Sequence, residues 1–278
     1  VVIATTVAGF TTLAWISEDE EVIRAETPIG LVVKKITPEE AFEPLQADES
    51  ANMIRSLSIT PTGATPNPDA DMLRLRITSE DPALLPPEDA RQRRDGNIFV
   101  ITRQDPHDAS RSEPLSDEES AACLTSDLFI QADHPRITET ADDITDGAET
   151  SWDKAVRLYS WVYENIEKEF VLSVPSALDV LEQRKGDCNE HAVLFAALAR
   201  AAGVPTRVVI GLAWSRKMQA FGYHAWVEVY AGQWIAMDPT FGEMTAGPTH
   251  IKLITGSIEQ WPRLLSYIGA LAIEVLTE

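Results

Sequence analysis

Three separate motifs in this chain hold a cysteine, a histidine and an aspartate, the side chains that a nucleophile, its base and a group orienting that base require. Cys188 follows Gly186-Asp187 and precedes Asn189-Glu190-His191. Asp187 suits an N-cap, and Glu190 three residues on completes an Asp-x-x-Glu capping box. The Ala- and Leu-rich run from Ala192 to Ala202 continues the helix, Gly203 supplies its C′ stop and Pro205 keeps it from resuming. Cys188 is thus expected at the first helical position. There the dipole and the unpaired N–H groups favour a thiolate over a thiol. A buried structural cysteine is the ordinary alternative, and the flanking Gly, Asp and Asn speak against it.

The base and its orienter come from one hairpin. Gly222 to Tyr230 and Gln233 to Pro239 are aromatic and β-branched arms on either side of a turn. A two-residue Ala231-Gly232 loop would pair His224 with Pro239 and turn Asp238 to the opposite face. A three-residue loop, Tyr230 to Gly232, with glycine in the left-handed position of a bulge, pairs His224 with Asp238. The same register pairs Trp226 with Ala236 and Glu228 with Trp234. Opposed Cβ atoms then stand about 5 Å apart, close enough for a carboxylate to hold an imidazole. The three-residue loop is the expected one.

The segments Arg184 to Arg207, Tyr223 to Val229 and Trp234 to Thr240 resemble the transglutaminase-like superfamily of cysteine enzymes, and within it the bacterial branch of proposed cysteine proteases. The likeness is strong from Trp152 to Gly242, and three spaced motifs in order are more specific than any one alone. It implies Cys188 as nucleophile, His224 as general base and acid, and Asp238 as orienting carboxylate. It implies an α+β fold with a papain-like core, a cysteine-bearing helix packed on an antiparallel sheet, and no cofactor. The thiolate would attack an amide carbonyl and leave a thioester, which water hydrolyses (a peptidase or amidase) or an amine intercepts (a cross-linking acyltransferase). The Cys188 N–H is the natural first oxyanion donor. The family takes a second from a side chain upstream of the cysteine, and no residue here aligns with it. Hydrolysis is expected to outweigh transfer, because the hairpin loop is short and the loop Ala213 to Tyr223 is polar, carrying Arg216, Lys217 and Gln219. Two rival classes differ: a catalytically silent scaffold would be expected to have lost a triad member, and an arylamine N-acetyltransferase would carry Arg-Gly-Gly where this chain has Arg184-Lys185-Gly186.

The neighbours of these residues have simpler roles. His191 lies one turn from Cys188 on the same cylinder and suits a local cap rather than the base, and Glu190 is a capping carboxylate. Animal transglutaminases raise the question of calcium, but Glu18 to Glu21, Asp69 and Asp71, and Asp142, Asp143 and Asp146 lack the alternating ligands of an EF-hand loop. Neither cysteine is spaced with a histidine as a zinc site requires, so no metal is expected.

Around the motifs the chain divides into a β-rich region over residues 1–103, a linker and helical lead-in over 104–150, and a catalytic core over 151–278. Thr5 to Ile16 reads as one strand, Val22 to Glu26 as a second, and Met72 to Ile77 and Asn97 to Thr102 as two more. Met53 to Ile59 flanks a turn-rich loop, Thr60 to Pro68. Helices are expected at Ile137 to Ala148, Trp152 to Glu167 and Ser176 to Arg184, a strand at His250 to Ile254, and a strand or a helix at Tyr267 to Leu276. Trp15, Arg24-Ala25-Glu26 and Pro28 to Leu31 resemble the tail of a β-domain that precedes the core in longer bacterial relatives. That resemblance favours a secreted or periplasmic setting, with a cytoplasmic one the alternative.

Of the 278 residues, 44 are acidic and 23 basic, a formal net charge of −21 that would repel a phosphate backbone and disfavours nucleic acid. With only two cysteines there is no disulfide framework, and a Cys123–Cys188 bridge would consume the nucleophile. No run is long enough to span a membrane. The expected partner is a protein or peptide substrate.

Overall fold

A computed structural model describes residues 1–7, 10–26, 32–37, 57–108, 114–169, 176–256 and 260–277. The chain forms two compact units, Val1–Ser56 and Leu57–Glu278. In the first, β1 (Val2–Val7), β2 (Phe10–Ile16), β3 (Val22–Glu26) and β4 (Val32–Lys34) form an antiparallel sheet in sequential order. The stretch expected as a single strand, Thr5 to Ile16, is instead two arms of a hairpin, with Val7 opposite Phe10 and Val2 opposite Trp15.

The second unit holds the three motifs. Its strands β5 (Thr62–Gly63), β6 (Met72–Thr78), β7 (Gln92–Asp95) and β8 (Ile98–Thr102) join β15 (Ala272–Val275) in a five-stranded sheet, order β5-β15-β6-β8-β7. The alternation expected over Met72 to Ile77 is borne out, with Leu73, Leu75 and Ile77 buried and Met72, Arg74 and Arg76 exposed. Of the Met53 to Ile59 segment, the residues before Leu57 lie outside the described ones.

Among the described residues four α-helices precede the cysteine: α1 (Asp117–Ala122), α2 (Pro135–Thr145), α3 (Ser151–Asn165) and α4 (Ala177–Gln183). The cysteine helix α5 (Cys188–Ala201) packs among α2, α3 and α4 and against the four-stranded sheet, so every residue from Glu190 to Ala199 is buried. Burying Leu194, Phe195 and Leu198 contributes about 1.5–3 kcal/mol each. A helix with no solvent face over this length is held rigidly, which suits one that must aim its first residue. The α+β class, with the cysteine on a helix against an antiparallel sheet, is the observed fold.

That sheet consists of β11 (Thr206–Ser215), β12 (Ala220–Tyr230), β13 (Trp234–Met237) and β14 (His250–Thr255), order β13-β12-β11-β14. Ala225, Val227 and Val229 join the helical core, whereas Ile210, Leu212, Trp214 and Phe221 join a second core with the five-stranded sheet. The polar stretch expected as a loop from Ala213 to Tyr223 is largely strand: Ala213 pairs Gly222 and Ser215 pairs Ala220. Its charged residues occupy only the turn, where Gln219 takes a φ of 54°.

Candidate active site

The cysteine turn is built as its residue types require. Asp187 caps α5, accepting from the Asn189 N–H at 2.9 Å, and Glu190 accepts from the Asp187 N–H at 2.9 Å to complete the capping box. At the far end Gly203 has a φ of 78°, its N–H reaches Arg200 O at 3.0 Å and the Val204 N–H reaches Ala199 O at 2.8 Å. This is a Schellman stop. Ahead of Cys188, the short parallel pair β9 (Glu167–Lys168) and β10 (Lys185–Gly186) ties the turn to the end of α3.

Gly186 is needed for closeness. A Cβ there would stand 2.2 Å from Glu190 Cβ, so the capping side chain could not keep its place. Gly186→Ala is therefore expected to destabilise the fold by about 1–3 kcal/mol and to slow alkylation of Cys188. Thermal unfolding and iodoacetamide kinetics on the variant check both.

Burial, joined by a hydrogen bond and the charge of Asp187, raises the Glu190 carboxyl from 4.5 to about 7. The folded protein thus binds this proton more tightly than the unfolded chain. Its contribution to stability is complete below about pH 4.5 and is lost as pH rises through about 7. Glu190→Gln keeps a capping acceptor without the titration, so its melting temperature should decline less across that window than the wild type's.

His191 is fully buried, with Nδ1 2.6 Å from Asp187 O, where it donates into its own helix. Burial, countered by the Asp187 carbonyl, pushes its pKa down. Its bond is the local one expected.

The hairpin brings His224 and Asp238 together by a register other than the expected one. Tyr230 pairs Trp234 and Glu228 pairs Ala236, so the loop is Ala231 to Gln233 and the pairing is displaced by two residues. A shift of two preserves the face of every side chain. Asp238, just past β13, still meets His224, with Nε2 donating to Oδ2 at 2.7 Å. Cys188 lies beside the His224 ring, close enough to act on its charge. Burial alone would depress its pKa, but Asp238 and then Cys188 overrule burial and raise it to about 10.

Asp238 is fully buried, and all four of its lone-pair directions are used. Oδ1 accepts from the N–H groups of Thr240 at 2.8 Å and Phe241 at 3.0 Å, an Asx turn that folds the chain back over the site. Oδ2 accepts from His224 and, at 2.8 Å, from Nε2 of His250 on β14. Burial opposes the charge, yet His224 and His250 hold the carboxyl well below the ordinary carboxylate range. The turn lays Phe241 over the His224 ring, centroids 4.1 Å apart.

His250 is the site residue that reading the sequence missed; it was legible only as the start of a strand. His224, Asp238 and His250 are a group of three ligating side chains among the described residues. Around a tetrahedral ion with ligands at about 2.0–2.1 Å, ligand atoms stand about 3.3 Å apart. The contacts of 2.7 and 2.8 Å onto one oxygen are hydrogen-bond distances instead.

Further along the same sheet face Lys252 pairs with Glu228 at 2.7 Å and with Asp89, while Arg207 holds the other Glu228 oxygen at 2.8 Å. The buried Arg91 guanidinium donates to the carbonyls of Ala246, Gly247 and His250, pinning the return segment to β14.

Residues 138–239 match the model of the transglutaminase-like superfamily. The human kyphoscoliosis peptidase is 27% identical over 124 residues, a match spanning 38% of this chain and 18% of that protein. The chain thus spans less than a fifth of the curated relative's length. Among solved structures, the chain is similar to a proposed cysteine protease from Cytophaga hutchinsonii, with 18% identity, coverage of 78% of this chain and 82% of that one, and a TM-score of 0.48. It is also similar to the periplasmic domain of TgpA from Pseudomonas aeruginosa bound to ethylmercury, with 17% identity, coverage of 65% and 74%, and a TM-score of 0.39. The stretch of the chain similar to that superfamily, residues 138–239, is thus the one that carries the cysteine helix and the histidine strand.

Proposed function

We propose that this chain is a cysteine-dependent amide or peptide hydrolase in which Cys188, His224 and Asp238 act as a triad. The observation that carries the reading is the single imidazole bonded to Asp238 at 2.7 Å and lying beside the cysteine that starts a buried helix. With Nε2 committed to Asp238, Nδ1 is the nitrogen left for the thiol. The Cys188 proton passes to His224, and the thiolate adds to the amide carbonyl carbon. The oxyanion is met by the Cys188 N–H, which has no acceptor within its helix. His224 then gives its proton to the departing amine and a thioester remains. Water, deprotonated by His224, adds to the thioester, the carboxylic acid leaves, and the proton returns to sulfur. None of these steps needs a cofactor.

Protein or peptide substrates fit the site's surroundings and the name of the human relative, a peptidase. No helix among the described residues is long and apolar enough to cross a membrane. A cavity of about 580 Å³ opens beside Phe241, bordered by Trp214, Arg216, Glu243 and Met244. The secreted or periplasmic setting implied by the first strands belongs to this reading.

Acyl transfer is the second reading, and one observation favours it. Phe241 and Met244 are 45% and 42% exposed, an apolar rim against which the stem of an amine acceptor could lie. The test supplies a glutamine-containing peptide with a labelled primary amine. Cleaved peptide or ammonia without label in the product supports the hydrolase. Incorporation that requires Cys188 would overturn it.

A further inference from the structure

We propose that His250 is a positioning residue of the triad, fixing the Asp238 oxygen that holds His224 and sharing that oxygen between two imidazoles. The proposal rests on reading Cys188, His224 and Asp238 as catalytic.

The argument begins with Oδ2. A carboxylate only accepts, so the Nε2 atoms of both histidines must carry hydrogens. Their distances, 2.7 Å for His224 and 2.8 Å for His250, are nearly equal, and neither ring is more than 7% exposed. Each imidazole takes one lone pair of the same oxygen, while two backbone N–H groups saturate the other oxygen. The carboxylate can neither rotate nor direct its charge at His224 alone. A triad histidine must release its proton to the leaving amine, so an undivided, buried carboxylate would hold it too tightly.

His250 is also an expensive way merely to fill space. Among the described residues its buried Nδ1 has no hydrogen-bond partner, and a Glu243 carboxylate oxygen stands 3.9 Å away. An apolar side chain would avoid that uncompensated atom. The ring is held as a precise part would be: Arg91 donates to the His250 carbonyl at 2.7 Å, and the Trp226 ring meets it edge to face at 5.2 Å. The ionisable groups around Asp238 and His250 are His224 on β12, Cys188 and His191 on α5, Tyr159 on α3, Glu243 in the turn and Arg91 behind the backbone.

Nitrogen-15 NMR of the labelled full chain reads the arrangement directly. The wild type should show two slowly exchanging, low-field Nε2–H signals, from His224 and His250, besides the Nδ1–H signal of His191. In His250→Phe one signal should vanish, and the His224 titration midpoint should rise by about half a pH unit or more. His250→Gln restores an N–H donor without an imidazole and should return that midpoint close to the wild-type value. A folded His250→Phe with an unmoved His224 overturns the proposal, as does a His250→Gln shifted as far as His250→Phe. If His250→Phe does not fold, the wild-type spectrum decides, two Nε2–H signals supporting the shared oxygen and one refuting it. Iodoacetamide on the same wild-type sample separates the two readings. Cys188 reacting no faster than Cys123 would sink the triad itself, whatever His250 does.

Discussion

Iodoacetamide at about pH 6 to 7 is expected to modify Cys188 well before Cys123, and Cys188→Ala to abolish hydrolysis. The two thiols sit at opposite ends of helices. Cys188 opens α5 and lies beside His224. Cys123 is the C-cap of α1, and burial, only partly relieved by Arg207 and Arg200, pushes its thiol up. Loss of a triad member typically costs about 10⁴-fold in turnover or more. Peptide mapping after a short alkylation reads the first expectation, and turnover of the alanine variant reads the second. Equal labelling, or an active Cys188→Ala, would leave a transglutaminase-like scaffold without cysteine chemistry.

Much of this site could be read from local residue types, because short-range rules place its parts. The capping box at Asp187 and Glu190 and the glycine stop at Gly203 need only neighbours in sequence, and both ends of α5 lie where those residues put them. Hairpin parity is nearly as local. The expected loop was displaced, yet His224 and Asp238 still share a face because the slip was an even number. The exact register was not legible, since nothing in Tyr230-Ala231-Gly232-Gln233 dictates which three residues turn.

His250 was illegible for a different reason. It comes within reach of Asp238 because β14 pairs with β11, placing His250 opposite Ala213, and no turn or cap near residue 250 signals that pairing. β7, Gln-Arg-Arg-Asp, likewise has no strand-like composition. Its Gln92 is fully buried because the side chain binds Pro87 O and both Lys252 backbone groups. A polar strand stabilised by distant partners leaves no periodic trace. The strand Thr206 to Ser215 and the start of β12 do not stand out in the sequence, because Arg216, Lys217 and Gln219 make the stretch between them polar and mask Trp214 and Phe221, whose rings are buried 5.3 Å apart.

Asp238 carries the second large effect, on activity and stability together. Asp238→Asn preserves shape but presents an amide N–H₂ where one carboxylate oxygen accepted. The amide oxygen can serve the Thr240 and Phe241 N–H groups or the two imidazoles, not both sets. Turnover should fall about 10³–10⁴-fold, and by less than in Cys188→Ala, because the carboxylate orients the imidazole whereas the thiolate forms the bond. Asp238→Ala removes every one of these acceptors and leaves buried donors unpaired, at a cost of about 3–5 kcal/mol. The pH dependence has a definite sign. The folded-state pKa of Asp238 is depressed, so its stabilisation is present above its unfolded value near 3.8 and is lost as pH falls below that. Melting temperatures between about pH 2.5 and 7 should therefore converge toward acid, the wild type losing stability faster than Asp238→Asn. Parallel curves would mean that the buried carboxylate does not hold its charge through the two imidazoles, and orientation of His224 would need another source.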